Sequence, residues 1–150
     1  MNTDPSQPAR ADHRPYIETV RVALLLKDIH VGAAVFNTGL VRSAAMTLLA
    51  PDDDFDEPWH HTFAGAQRVE LRWTEEDGWS LLALHASGDA TLPTIWRPGF
   101  GAVLPPDEVT TWLALLLTMP VASASREDGP YRSHQRRDSA FEAALAAYAL

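Results

Sequence analysis

The stretch from Arg68 to Ala86, RVELRWTEEDGWSLLALHA, admits one local conformation. Two runs rich in aromatic and aliphatic residues flank Glu75-Glu76-Asp77-Gly78, a polar cluster that ends in the residue most tolerant of positive φ. That pattern predicts a β-hairpin. On the first strand Val69, Leu71 and Trp73 alternate with Glu70, Arg72 and Thr74, so one face is apolar and the other polar. The second strand, from Trp79 to Ala86, is apolar on both: Trp79, Leu81 and Ala83 line one face, Leu82 and Leu84 the other. A three-residue loop with Gly78 as a bulge puts Leu81 opposite Trp73 and keeps Trp79 on Trp73's side. A two-residue Asp77-Gly78 turn puts Leu82 there instead, and the bulged loop is the expectation. Either register leaves a second apolar face that a helix of this chain, a second copy or a partner must cover.

How large a fold this hairpin joins follows from the length. At 150 residues, with 46% hydrophobic and 21% charged content, the chain has room for one core. The net charge of −8 disfavours nonspecific binding to DNA or anionic lipid, because the long-range potential repels phosphate, and favours neutral or basic partners. There is no cysteine, so no disulfide framework or thiolate metal site exists and packing must hold the fold. The opening MNTDPSQPARADHRP has no signal-peptide core, and no run approaches the roughly 18 apolar residues of a membrane span. A soluble cytoplasmic protein without a cofactor is expected. Lys27 is the only lysine among the basic residues, and this Arg, Ala and Leu bias suggests a GC-rich genome.

Along the chain, residues 1–14 read as a disordered tail with Pro5 and Pro8. From Pro15 a helix is predicted to about residue 28, with Tyr16, Ile17, Val20, Ala23 and Leu24 at helical spacing. Short strands are expected around 33–36 and over 40–49. Residues 51–67, PDDDFDEPWHHTFAGAQ, form a long acidic loop. After the hairpin, 91–96 and 101–104 are candidate short strands, with Pro93 and Pro98 pointing to an edge position. Pro105 and Pro106 open a second helix whose first turn carries Asp107 and Glu108 and whose buried stripe is Val109, Trp112, Leu113 and Leu116. Residues 120–138 read as a solvated linker between a 15–119 domain and a terminal amphipathic helix at 139–150. There Ser139 and Glu142 match a capping box and Phe141, Leu145 and Tyr148 share one face. The element order implies an α+β two-layer sandwich: an antiparallel sheet of three to five strands, flanked by N-terminal and C-terminal helices on one face.

Tyr16, Val20 and Leu24 in the first helix, Leu71-x-Trp73 with Gly78-Trp79 in the hairpin, and Pro105-Pro106 with Val109 resemble the actinobacterial domain-of-unknown-function family 6292. The resemblance covers roughly residues 15–119. Its motifs are structural, so it implies a fold and brings no catalytic residue.

Three constellations carry possible chemistry. His60 and His61 beside Asp52, Asp53, Asp54, Asp56 and Glu57 are the nearest approach to a metal site, with Asp54 the acidic candidate. Yet adjacent histidines diverge and the run lacks the calcium-loop pattern, so a solvated acidic loop is the plainer reading. Of the five tryptophans, Trp73 and Trp112 fit core stripes, while Trp59 and Trp96 sit in irregular context and are candidates for an exposed anchor or pocket wall. Arg132, His134, Arg136 and Arg137 form a basic run in the linker whose plainer role is to keep it solvated. No nucleophile elbow or phosphate-cradling glycine loop is present, which argues against an enzyme.

The expectation is therefore a non-enzymatic, acidic, self-associating interaction or regulatory module, similar to small secretion-chaperone and immunity proteins only at the level of fold. Two features motivate it: the second strand apolar on both faces, and a lone terminal helix whose Phe141, Leu145 and Tyr148 need something to dock on. A small-molecule domain with a tryptophan-lined pocket and a metal-dependent hydrolase at Asp52–His61 are the alternatives.

Overall fold

The computed structural model describes residues 10–49, 66–85, 94–96, 98, 101–118, 130–136 and 138–149. Five strands, β1 (Val35–Asn37), β2 (Ser43–Thr47), β3 (Ala66–Thr74), β4 (Gly78–His85) and β5 (Thr94–Trp96), form one antiparallel meander in chain order. Among the described residues, helices α1 (Arg14–Leu26), α2 (Pro106–Thr118) and α3 (Ser139–Ala146) join the sheet in an α+β fold. The expected layering holds: Tyr16, Ile17, Val20 and Leu24 of α1, Val109, Leu113 and Leu116 of α2, and Phe141 and Leu145 of α3 share one core with a single face of the sheet.

The hairpin is where local chemistry sets the fold. Thr74 pairs with Gly78, so the loop is the three residues Glu75, Glu76 and Asp77, and Gly78 takes φ 71°. Thr74 Oγ1 accepts from the Asp77 N–H at 2.9 Å and closes the turn. Gly78 is also a close-approach site, because a Cβ there would lie 2.7 Å from the Gly101 carbonyl oxygen. The three-residue loop and the shared face of Trp73 and Trp79 follow expectation, whereas Gly78 pairs in register with Thr74 and is not a bulge. The strand register also departs from expectation: Trp79 lies opposite Trp73 and Leu81 opposite Leu71, two residues from the expected pairing. Parity is dictated by alternation, whereas the offset depends on how many turn residues join the ladder.

The inner face presents Ala44, Met46, Val69, Leu71, Trp73, Trp79, Leu81 and Ala83, all buried. On the outer face Glu70 bridges Arg68 at 2.9 Å and Arg72 at 2.6 Å. Leu82, also on the outer face, is buried within the chain. The inference that the second face of β4 awaits a partner is thus corrected at Leu82.

Helix α1 stops at Leu26, short of residue 28, through a Schellman arrangement: Ile29 N–H donates to Leu24 C=O at 2.9 Å and Asp28 N–H to Leu25 C=O at 3.0 Å. The left-handed position is filled by Asp28 at φ 59° rather than by glycine, which is why the stop is hard to see in the sequence. Ile29 then enters the core. Residues 101–104 form no strand. They run irregularly because their carbonyls serve aromatic donors: Trp73 Nε1–H donates to Ala102 C=O at 2.6 Å, and Tyr16 O–H to Leu104 C=O. Trp79 Nε1–H donates to the Tyr16 oxygen at 2.9 Å, so both indoles and the phenol are satisfied inside the core.

Candidate functional site

Where β2 begins and β3 turns into β4, four ionisable side chains meet out of water. Arg42, at the foot of β2, is held from three sides. Its Nε donates to Glu75 Oε2 at 2.5 Å, Nη2 to Glu142 Oε2 at 2.6 Å, and Nη1 to both Glu142 Oε1 at 2.8 Å and the Ala11 carbonyl at 2.6 Å. Glu75 occupies the first turn position and is only 1% exposed. It also accepts from the Arg42 backbone N–H at 2.9 Å, from Arg132 Nη1 at 2.8 Å and from Arg10 Nη2 at 3.3 Å. Glu142 on α3 accepts the Ala11 N–H at 2.7 Å. Both guanidiniums lie over the Phe141 ring, Arg132 4.1 Å and Arg42 5.4 Å from its centre.

Electrostatics follow from this geometry. Burial alone would raise the Glu75 carboxyl, but hydrogen bonds from Arg42 and Arg132 outweigh it and bring the group down to about 2. Burial and the Arg42 fork act on Glu142 in the same opposed way, and the net shift is again downward. Arg42 is desolvated, yet its two carboxylate partners hold it charged. His13, stacked on Trp73 at 5.5 Å, is pushed below the ordinary histidine value by burial, against a hydrogen bond to Ser43. Because the Ser43 carbonyl only accepts, the 2.8 Å contact places the neutral ring's proton on Nε2.

Two open recesses flank the cluster. One of about 340 Å³ is bordered by Arg10, His13, Arg14, Thr38 and Arg42, and one of about 450 Å³ by Tyr131, Arg132, Ser133, Arg136, Asp138 and Ser139. Within the cluster itself, every carboxylate oxygen accepts at least one guanidinium N–H and every nitrogen of the Arg42 guanidinium is bonded. Both carboxyls are held ionised, so neither carries a proton to exchange near neutrality. The work of the cluster is structural: it joins the segment before α1, the β3–β4 turn and the C-terminal segment.

The sequence-derived candidates fall out differently. Phe141 is buried and Leu145 is 0% exposed, both in the chain's own core, while Tyr148 is half-buried with its ring 5.0 Å from that of Tyr16. The assignment of these three to a partner surface is corrected: the helix docks on its own chain. Trp96 lies on β5 opposite Leu81. Trp59, His60, His61 and Asp54 lie outside the described residues, as do Arg137 and the acidic loop up to residue 65, while Ala66 and Gln67, read as its end, belong to β3. Among the described residues no three metal-ligating side chains converge, and no helix is long and apolar enough to cross a membrane.

The basic run is corrected too. Arg132 is buried on Glu75, His134 bonds Glu76 Oε2 through its N–H at 2.8 Å and Nδ1 at 2.9 Å, and Tyr131 N–H donates to Glu76 C=O at 2.7 Å. Residues 130–136 therefore pack on the hairpin turn. Residues 10–14, read as part of a disordered tail, are ordered: Ala11 bonds Glu142 and Arg42, His13 bonds the Ser43 carbonyl and stacks on Trp73, and Arg14 begins α1. Ser139 is not the cap of α3: Asp138 is, accepting the Phe141 N–H at 3.1 Å, and Glu142 faces Arg42 instead of reaching back. A signal existed for the central pair. Arg42 is the only Asp, Glu, Lys or Arg between Asp28 and Asp52, and Glu142 the only one from Ser139 to Leu150, a lone cation and a lone anion in otherwise uncharged stretches.

No family model matches the chain, and neither a curated protein nor a solved structure matches it.

Proposed function

We propose that this chain is a non-enzymatic, acidic protein-interaction module of the cytoplasm that associates with a second copy of itself. One observation carries the reading: among the described residues, large apolar side chains stay in water after the sheet and helices have packed. Val22, Leu25 and Leu26 form an exposed ridge on α1 at helical spacing, with Leu26 80% exposed. Beyond the first helix, Val35 on β1 is 72% exposed and Leu40 81%. Isolated exposed leucines are ordinary, but the α1 ridge on the helix side of the sheet and Val35 on its outer side are apolar exposures of the kind that association covers. The cluster around Arg42 supports the reading from the other side, because it commits the chain's densest charge, among the described residues, to holding its own ends. Trp73 and Trp79 use both indole N–H groups inside the core, which leaves a tryptophan-lined pocket to Trp59 and Trp96.

Sedimentation equilibrium of the full chain across a hundredfold concentration range tests this. A mass that rises toward twice that of one chain is expected; a constant single-chain mass removes self-association.

A further inference from the structure

We infer that His13 is a pH-sensitive latch: protonation of its ring loosens residues 10–13 from the sheet and opens access to the Arg42 cluster while the core stays folded. The place of the ring sets this up. His13 is the residue before α1 and is only 1% exposed. Its ring lies nearly parallel to the Trp73 indole of β3 and edge-on to Phe36 of β1, each at 5.5 Å, and its Nε2–H donates to the Ser43 carbonyl of β2 at 2.8 Å. Among the described residues this is the ring's only hydrogen bond. A neutral imidazole, with one N–H and one acceptor, fits. An imidazolium brings a second N–H and a full charge into the same aromatic slot.

The charged groups around the ring do not make up for that. Asp12 and Arg14 flank it in the chain, Arg42 faces it from the foot of β2 and Glu75 from the β3–β4 turn, while Phe36 and Trp73 bring no charge from β1 and β3. Asp12 is already paired with Arg14 at 2.8 Å, and Glu75 with Arg42 and Arg132, so neither anion is free to stabilise a new cation. Burial is the largest influence and holds the ring below the ordinary histidine value; Arg42 acts in the same sense, against Ser43, Asp12 and Glu75.

The latch holds a short span of chain. Ala11 N–H donates to Glu142 Oε1 at 2.7 Å, and its carbonyl accepts from Arg42 Nη1 at 2.6 Å. Helix α1 is anchored separately by Tyr16 and Ile17, both 0% exposed, so residues 10–13 can leave while α1 stays docked. Opening frees one oxygen of Glu142 and one nitrogen of Arg42 from Ala11, so acidity controls access to these two groups. Because the open segment takes up a proton at the ordinary value of 6.5 and the closed one only lower, opening is favoured as pH falls below 6.5. Between pH 7.5 and pH 5.5 the opening constant should rise by up to about tenfold.

Amide hydrogen exchange of the full chain, followed by NMR and corrected for the pH dependence of exchange itself, tests this. Ala11 reads the latch and Leu71, on the central strand, reads the core. Ala11 protection is expected to lie at least about tenfold below that of Leu71 and to fall up to about tenfold from pH 7.5 to pH 5.5. His13→Phe keeps an aromatic ring and His13→Gln keeps a side-chain N–H; neither titrates, and in either the fall should vanish. Should one of them fail to fold, the other carries the comparison, and the wild-type contrast between Ala11 and Leu71 stands without either. A wild-type Ala11 whose protection is the same at both pH values, or equals that of Leu71 at pH 5.5, overturns the latch. So does a fall that persists without the histidine.

Discussion

Arg42 shows how one residue can tie together parts of a chain that are far apart in sequence. Its fork engages Glu75 and Glu142, 33 and 100 residues away, and a buried ion cluster of this kind is destabilised chiefly when one member is lost and its partners stay desolvated. Arg42→Ala is expected to lower unfolding free energy by about 3–5 kcal/mol in denaturant titration. Arg42→Lys should recover only part of this, since an ammonium cannot reproduce the two-pronged contact with Glu142. Gly78 is the second position governed by one residue's chemistry. Gly78→Ala meets both a positive φ and the Gly101 carbonyl, a backbone atom that cannot swing aside, and should cost more than about 1 kcal/mol. Arg42 is marked in the sequence only as a lone charge in an uncharged stretch, which does not name its partners, and the clash at Gly78 comes from a segment 23 residues further on.

At the scale of elements, α3 is an eight-residue helix that would not persist alone in water. What holds it is burial of Phe141 and Leu145, the Asp138 cap and the Glu142 contact with Arg42. Leu145→Ala should therefore destabilise the whole protein by about 2–5 kcal/mol in one cooperative transition, not merely fray the terminus. Asp138→Ala should cost about 1 kcal/mol. If thermal melts of Leu145→Ala instead show the wild-type midpoint, the docking of α3 is not coupled to the core. The helical face of Phe141, Leu145 and Tyr148 is readable from spacing; what it packs against is not, because a 3.6-residue period identifies an apolar stripe and says nothing of whether the covering surface lies in the same chain. The hairpin behaves similarly, with faces settled by alternation and register by the turn.

For the whole molecule, acid should act on the cluster through shifts of one sign. The folded values of His13, Glu75 and Glu142 all lie below their ordinary ones, so the unfolded chain binds more protons and stability falls as pH falls. The loss begins as pH drops below the ordinary histidine value of 6.5 and continues from the ordinary glutamate value of 4.5 toward the folded Glu75 value of about 2. Urea midpoints measured from pH 8 to pH 3 should decline across both windows, and Glu75→Gln should flatten the lower one. The sequence by itself determined the fold class, the hairpin and its buried face, the proline-started second helix and the acidic charge, because each follows from short-range periodicity, turn chemistry or composition. Only the tertiary structure decided that the terminal helix docks on its own chain and that Arg42, Glu75, Glu142 and Arg132 meet. The spacing of residues along a chain encodes which faces are apolar and where lone charges sit, while the free energy of burying a charge depends on partners brought together from distant segments.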